Sequence, residues 1–355
     1  MLQFQRSNLL YFFCLAIAYY TDVRFEVNPT IPLQFPTAFG TNVKITSHTN
    51  RQQPTYMPSK KDLQYRLEYA LLRGIIGFVR LFPLDTAVKL SAKGWRLLAP
   101  YGRRHKRALD NIALAFPDMP LAERERIIMA MWENLGRVMA ETMQMDRILH
   151  DPSRFEVLSK TLLDRYHGKM GSAILLSMHT GNWEITMWPM VQAGAKPAGV
   201  YRLVKNPYVD QYLRDQRKEL YPGGLFAKGR KKGTTTGMET ARVLNAYVRQ
   251  GGRLGFLADL YDRKGLPVPF FGHPAPCTPF PAMMARRLGA RIWIGRSVRI
   301  GNRTQFELEM KELKVPRTKN HGEDIKAIVA ASQAQFEEWI REHPEQWMWS
   351  NRKWG

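Results

Sequence analysis

The stretch AILLSMHTGNWEITMWPM, residues 173–190, decides how the rest of the chain can be interpreted. Its first four residues form a short apolar run, which predicts a buried strand. A turn around Gly181 follows, and the next apolar residues predict the start of a helix. His179 therefore comes just after a strand, with Glu184 five residues further on. Open α/β sheets bind ligands beyond the carboxyl ends of their strands, so this stretch predicts a site there.

Segments of strand and helix character alternate along most of the chain. Strands are predicted at 173–176, 199–201, 254–258, 268–271, 291–300 and 305–313. Helices are predicted at 62–78, 85–98, 121–145, 152–166, 207–220, 238–249, 281–288 and 323–342. The sequence therefore predicts an α/β fold with a mixed, largely parallel sheet flanked by helices.

The N-terminal part of the chain differs from the remainder in composition. Residues 1–61 include a polar, proline-rich segment without helical periodicity, so we predict a poorly ordered or atypical extension. From Asp62, a predicted N-cap, apolar residues keep helical spacing, and Arg66, Arg73 and Arg80 recur every seven residues on one stripe. Such a helix either lies in a membrane interface or packs on the domain. Residues 62–100 are interpreted as membrane-associated amphipathic helices, and 101–355 as the main domain.

The charge of the chain is strongly positive. Its 355 residues carry a formal net charge of +22, which implies an anionic partner such as nucleic acid, anionic lipid or an acidic protein. Clusters at 103–107 and 228–233 fit head groups or phosphate. The basic residues are otherwise scattered, and no nucleic-acid-binding signature is present. No motif indicates a disulfide, a bound metal, an ATP site or a Gly-x-Ser-x-Gly nucleophile.

The residues that could carry chemistry follow predicted strands. Through the turn at Gly181, the Glu184 carboxylate could return to the His179 imidazole, giving a general base and its orienting group. The alternative is a hydrogen-bonded structural histidine. Asp259 ends another apolar strand, before a predicted loop at 261–265, and is either a turn cap or part of the site. Arg202 ends a third strand, and Arg217 lies on the helix that follows it.

Several motifs, in their order along the chain, resemble one enzyme family. They are Asn111 to Pro117, His179-x-x-x-x-Glu184, Tyr201-Arg202, Asp259 with Arg263-Lys264-Gly265, Pro269-Phe270-Phe271-Gly272 and Pro344-Glu345-Gln346-Trp347-Met348-Trp349. In combination they closely resemble the lipid A biosynthesis late acyltransferases, the lauroyl/myristoyl acyltransferase family of Gram-negative bacteria. The resemblance covers roughly residues 67–353, and the membrane-associated helix of that family corresponds to 66–82.

The resemblance implies a fold like that of the glycerolipid acyltransferases and an acyltransferase domain at 101–355. It implies transfer of a fatty acyl chain from acyl carrier protein to a hydroxyl of a Kdo-bearing lipid A precursor, without a cofactor. The expected location is the cell inner membrane, on anionic lipids, with the active site facing the cytoplasm. His179 would be the general base and Glu184 its orienting group, with Arg217, Asp259 and Arg202 binding substrate. Backbone N–H groups after Gly181 would stabilise the oxyanion.

Three other functions remain open from the sequence. The same chemistry could act on another glycolipid or a glycerophospholipid, because the motifs do not identify the acceptor hydroxyl. The positive charge also fits a nucleic-acid-binding protein, although no recognition motif supports it. A membrane-peripheral protein without activity is the third, and the presence of both His179 and Glu184 argues against it.

Overall fold

A computed structural model describes residues 59–159, 171–228 and 237–354. Nearly all of the predicted extension at 1–61 lies outside the described residues, as does the basic loop after Lys228. The second half of the predicted helix at 152–166 lies outside them as well.

Helices dominate the first part of the described chain. They are α1 (Lys60–Arg80), α2 (Leu84–Leu98), α3 (Arg103–Ala115), α4 (Leu121–Thr142) and the short α5 (Met145–Leu149). The N-cap of α1 is Ser59, whose hydroxyl accepts a hydrogen bond from the backbone N–H of Asp62. The prediction of Asp62 as the cap is therefore wrong. Its carboxylate lies instead in the first turn, where it interacts favourably with the helix dipole.

One seven-stranded sheet organises the remainder. Its strands are β1 (Phe155–Val157), β2 (Ala173–Ser177), β3 (Pro197–Arg202), β4 (Leu225–Lys228), β5 (Arg253–Leu257), β8 (Arg291–Arg299) and β9 (Phe306–Leu313). The strand order is β1-β9-β8-β2-β5-β3-β4, and every neighbouring pair is parallel except β8 and β9. The intervening helices are α6 (Trp188–Gln192), α7 (Pro207–Arg217), α8 (Gly237–Arg249), α9 (Phe280–Leu288) and α10 (His321–Glu342). The predicted mixed, largely parallel α/β fold is confirmed.

Strand β2 lies in the middle of this sheet, and all five of its residues are buried. Ile174 and Leu176 belong to the largest apolar cluster. Leu175 points to the other face, where it packs in a cluster with Met187. A central parallel strand covered on both faces must be apolar throughout, which explains the unbroken apolar run in the sequence.

Two local predictions were wrong. The described part of the segment predicted as a helix at 152–166 forms a 3-10 turn, Pro152–Arg154, and then β1, which pairs with β9 at the sheet edge. The segment 261–265, predicted as a loop, belongs to β6 (Tyr261–Phe270), which forms a separate hairpin with β7 (His273–Cys277). Its polar residues lie at a register shift, because Tyr261 and Leu266 both pair with Cys277.

Helix α1 packs on the domain through the buried Ile76, which contacts Tyr212 and Leu213, and through its arginines. Arg80 makes two hydrogen bonds of 2.9 and 2.7 Å with Asp146, and Arg73 lies over the Tyr212 ring. Arg66 lies over the Tyr208 ring in the same way. The helix therefore packs on the domain, which was one of the two alternatives, and the arginine stripe takes part in that contact.

The other side of α1 is apolar and exposed. Leu63, Leu67, Phe78 and the following Leu81 are each more than half exposed, at 64%, 71%, 62% and 78%. Of the helices within 59–159, 171–228 and 237–354, none is long and apolar enough to cross a bilayer. Helix α1 is therefore packed through Ile76 and its arginines and leaves a leucine-rich stripe uncovered.

Helices α2 and α4 pack closely at a glycine. A Cβ atom placed on Gly136 of α4 would lie 2.8 Å from the Cα of Ala92 and 2.9 Å from the Cβ of Trp95, both in α2. The Ser91 hydroxyl also donates a 2.7 Å hydrogen bond to the Gly136 carbonyl. The absence of a side chain at Gly136 thus sets the distance between the two helices.

We expect Gly136→Ala to destabilise the protein and Gly94→Ala, within α2, to stabilise it. A methyl at Gly136 must push the helices apart, at a cost of about 1–3 kcal/mol. A methyl at Gly94 meets no atom within 4 Å, so helix propensity alone should add about 0.5–1 kcal/mol. Urea unfolding of both variants measures the difference. Equal destabilisation by the two substitutions would contradict this account of the contact.

Candidate active site

The carboxyl ends of β2 and β5 bring together a histidine and an aspartate. The two strands are parallel, with Ser177 opposite Leu257, so residues two positions beyond each strand are also neighbours. These are His179 and Asp259. The imidazole Nδ1 lies 2.9 Å from the Oδ1 atom of Asp259, and the backbone N–H of His179 donates to Oδ2 at 2.9 Å. The strand register therefore produces a buried His–Asp pair.

The Asp259 carboxylate is also held by the C-terminal segment. The indole N–H of Trp347 donates a 3.0 Å hydrogen bond to Oδ2. Burial by itself would raise the pKa of Asp259, but the charge of His179 and the hydrogen bonds from His179 and Trp347 lower that pKa below its ordinary value. An ionised carboxylate accepts only, so Nδ1 must carry the proton of this contact. Nε2 is then left unprotonated in the neutral imidazole.

The predicted contact between Glu184 and His179 is wrong. Glu184 lies in the 3-10 turn Trp183–Met187, and its two carboxylate oxygens accept hydrogen bonds of 2.6 Å each from Arg217, at the end of α7. Both side chains are almost fully buried. Asp259 takes the position on the imidazole that the sequence analysis gave to Glu184.

One cleft collects four of the five predicted site residues. His179, Glu184, Arg217 and Arg202 line it, and Arg202 is exposed at the end of β3. Asp259 does not line the cleft and lies behind the imidazole, with both carboxylate oxygens hydrogen-bonded. The rest of the lining is mostly apolar and includes Leu175, Met187, Val200, Tyr221, Leu225 and Phe256. The cleft therefore combines a titratable base with a surface suited to a hydrocarbon chain.

The turn between His179 and Glu184 requires a glycine. Gly181 has a φ of +54°, and a Cβ atom there would lie 1.9 Å from the carbonyl oxygen of Ser297. Its carbonyl accepts a 2.9 Å hydrogen bond from Asn134, and its N–H donates to the Gln346 carbonyl. No larger residue fits this position without displacing β8.

A buried polar network lies next to this turn. Arg299 of β8 makes two hydrogen bonds, 2.6 and 2.9 Å, with Glu141 of α4. Glu141 also accepts from the Asn182 side chain, and Arg299 donates to Asn134. The sequence analysis identified neither this network nor the Trp347 contact, because both join segments far apart in the chain. The only feature of the sequence that pointed to either of them was the tryptophan-rich C-terminus, which includes Trp347.

The described residues contain no cluster of three or more His, Cys, Asp or Glu side chains placed to hold a metal ion. An imidazole whose Nδ1 is held by an ionised carboxylate can accept a proton at Nε2. A buried arginine–glutamate pair lies beside it.

Comparison with known families gives one match. The family model described as bacterial lipid A biosynthesis acyltransferase matches residues 57–355. A search of curated proteins gives no significant match to an individual sequence. The family match begins close to the first described residue and includes every site residue discussed above.

We expect Asp259→Asn to weaken the acid dependence of stability. Because folding lowers the pKa of Asp259, its contribution is complete above the unfolded pKa, near 3.8, and is lost as pH falls through the lower folded pKa. Urea unfolding between pH 7 and pH 3 should show a stability difference between wild type and variant that shrinks below about pH 4. Asp118→Asn, at an exposed position, is the control. A constant difference across this range would contradict the assignment.

Proposed function

The chain belongs to the bacterial lipid A biosynthesis acyltransferase family and is an enzyme that transfers acyl groups, and from this premise we propose its substrates and mechanism. The donor is a fatty acyl thioester of acyl carrier protein, and the acceptor is a hydroxyl of a Kdo-bearing lipid A precursor. The family supports a lipid A-type acceptor and an acyl donor. The apolar lining of the cleft suits a fatty acyl chain, which we propose to be lauroyl or myristoyl.

In the proposed mechanism, Nε2 of His179 removes the proton of the acceptor hydroxyl as its oxygen attacks the thioester carbonyl. Asp259 holds the imidazole in the required tautomer and stabilises the imidazolium that forms. The imidazolium then returns the proton to the departing thiolate. The single observation that carries this proposal is the 2.9 Å contact between Nδ1 and Asp259 at the base of an apolar cleft.

The other predicted residues take different proposed roles. Glu184 neutralises Arg217, and this pair forms a polar wall of the cleft beside His179. Arg202 is exposed on the same cleft, so we assign it the role of binding a phosphate of the acceptor. Asp259 acts through His179, since its carboxylate is buried and already bonded. Asp259 thus takes the orienting role that the sequence analysis gave to Glu184, and Glu184 becomes the partner of Arg217.

We propose that the protein binds the cytoplasmic face of the inner membrane through α1. The exposed stripe of Leu63, Leu67, Phe78 and Leu81 offers apolar surface, and the arginines on the opposite side fix the helix to the domain. Apolar side chains that point away from the domain suit insertion at an acyl–headgroup boundary. The net charge of +22 favours anionic lipids and an acidic carrier protein.

We expect His179→Gln to reduce acyl transfer by about 100-fold or more, because general base catalysis typically contributes about 10²–10⁴. The assay follows a labelled acyl chain from acyl carrier protein to a Kdo-bearing lipid A precursor, with a glycerophospholipid as a second acceptor. His321→Gln, at an exposed position starting α10, is the matched control. Full activity of His179→Gln would remove the imidazole from the mechanism. Transfer to the glycerophospholipid alone would leave the mechanism in place and exclude the proposed acceptor.

We expect the double variant Leu67→Glu, Phe78→Glu to bind lipid vesicles at least about tenfold more weakly than the wild type. Burial of each apolar side chain is worth about 1.5–3 kcal/mol, and the carboxylates add repulsion from anionic lipid. Sedimentation with vesicles containing phosphatidylglycerol measures the change. Leu121→Glu, at another exposed leucine outside α1, should bind like the wild type. Equal binding by all three proteins would contradict the role of α1.

A further inference from the structure

Ser177, the last residue of β2, has a hydroxyl that the proposed mechanism does not use. The residue is 5% exposed, and its Oγ atom has no hydrogen-bond partner in the described part of the chain. A buried hydroxyl without a partner costs about 1–3 kcal/mol. A natural position that tolerates this cost needs an explanation, and a bound substrate is one.

The hydroxyl is placed on the cleft by the alternation of side chains along β2. Leu175, Ser177 and His179 all line the cleft, whereas Ile174 and Leu176 belong to the core on the other face. At about 3.3 Å per residue, Ser177 lies roughly 7 Å along the strand direction from His179, toward the apolar end. A chain whose carbonyl is close to the imidazole and whose tail contacts Leu175 must pass Ser177.

The reaction also needs a hydrogen-bond donor for the oxyanion, and several N–H groups of the turn are already used within the protein. The sequence analysis expected backbone N–H groups after Gly181 to stabilise the oxyanion. The N–H of Gly181 donates to the Gln346 carbonyl, that of Glu184 to the Asn182 side chain, and that of Ile185 to the Asn182 carbonyl. These three donors are occupied within the protein, so the side chains that line the cleft, Ser177 among them, are further candidate donors.

We propose that the Ser177 hydroxyl donates a hydrogen bond to the carbonyl oxygen of the donor thioester and to the oxyanion formed from it. This inference rests on the proposed acyl transfer. The acceptor oxygen forms a bond to the carbonyl carbon while its proton moves to Nε2 of His179, and the carbonyl π electrons become the oxyanion. Collapse of the oxyanion re-forms the carbonyl and breaks the C–S bond. The thiolate leaves with the proton from His179, so no other reactant is needed.

The chain offers a matched control for this hydroxyl. Ser297, on β8, is also fully buried, and its Oγ atom likewise has no partner among the described residues. It does not belong to the lining of the cleft. Ser177→Ala and Ser297→Ala therefore delete the same unpaired group, once inside the cleft and once outside it.

The test measures kcat and KM for acyl-acyl carrier protein in both variants, together with their melting temperatures. Loss of one oxyanion donor typically lowers kcat by about 10²–10³. We therefore expect kcat of Ser177→Ala to be at least about tenfold below the wild-type value, with KM within about twofold of it. Ser297→Ala should retain wild-type kcat. Both variants should melt at or above the wild-type temperature, because each removes an unpaired buried hydroxyl. Ser177→Thr, which keeps a hydroxyl, should recover part of the lost kcat.

Other results would overturn the inference. Unchanged kcat in Ser177→Ala, or a raised KM with unchanged kcat, would show that the hydroxyl does not act on the oxyanion, while the proposed acyl transfer would stand. An equal loss of kcat in Ser297→Ala would show that removing any buried hydroxyl from this part of the protein lowers kcat, so the effect would not be specific to Ser177. A wild-type protein that transfers no acyl group from acyl carrier protein would overturn the proposed function and this inference together.

Discussion

The buried hydrogen bond between His179 and Asp259 is the interaction on which the candidate site depends. It requires β2 and β5 to be parallel and in one particular register, because each residue follows its strand by two positions. A one-residue shift would turn the two side chains to opposite faces of the sheet. The Asp259 carboxylate is fully buried, so its charge must be matched by donors, and His179 and Trp347 supply them. Fold and site are thus specified by the same contacts.

The C-terminal segment and α4 complete that specification. Trp347 reaches Asp259 by its indole, the Met348 N–H donates to the His179 carbonyl, and the Gln346 carbonyl accepts from Gly181. Much earlier in the sequence, Glu141 of α4 accepts hydrogen bonds from Arg299 and Asn182. Satisfied buried networks of this kind rigidify the groups they contact. The site is therefore held by the C-terminal segment and by a helix that precedes the sheet in the chain.

Prediction from the sequence succeeded where the signal was local. The apolar run before His179 identified the central strand, and the alternation of strands and helices identified the fold class. The predicted pairing of His179 with Glu184 was wrong. It relied on the five-residue spacing between them, whereas the imidazole contacts Asp259, which is distant in the sequence. Asp259 is 80 residues away from His179 in the chain, and only the strand register brings it close. Likewise, β1 is three residues long and pairs with a strand far downstream, so no local pattern could distinguish it from a helix start.

In the proposed mechanism, Asp259 holds His179 in the tautomer that leaves Nε2 free to accept a proton. Nitrogen-15 NMR of histidine-labelled protein measures this directly, with the His179→Gln variant used to assign the signal among the eight histidines. Control of the tautomer by Asp259 predicts that near neutral pH the His179 ring carries its proton on Nδ1, with an unprotonated Nε2, and that Asp259→Asn disturbs this distribution. A His179 ring protonated on Nε2 and bare at Nδ1 would contradict it.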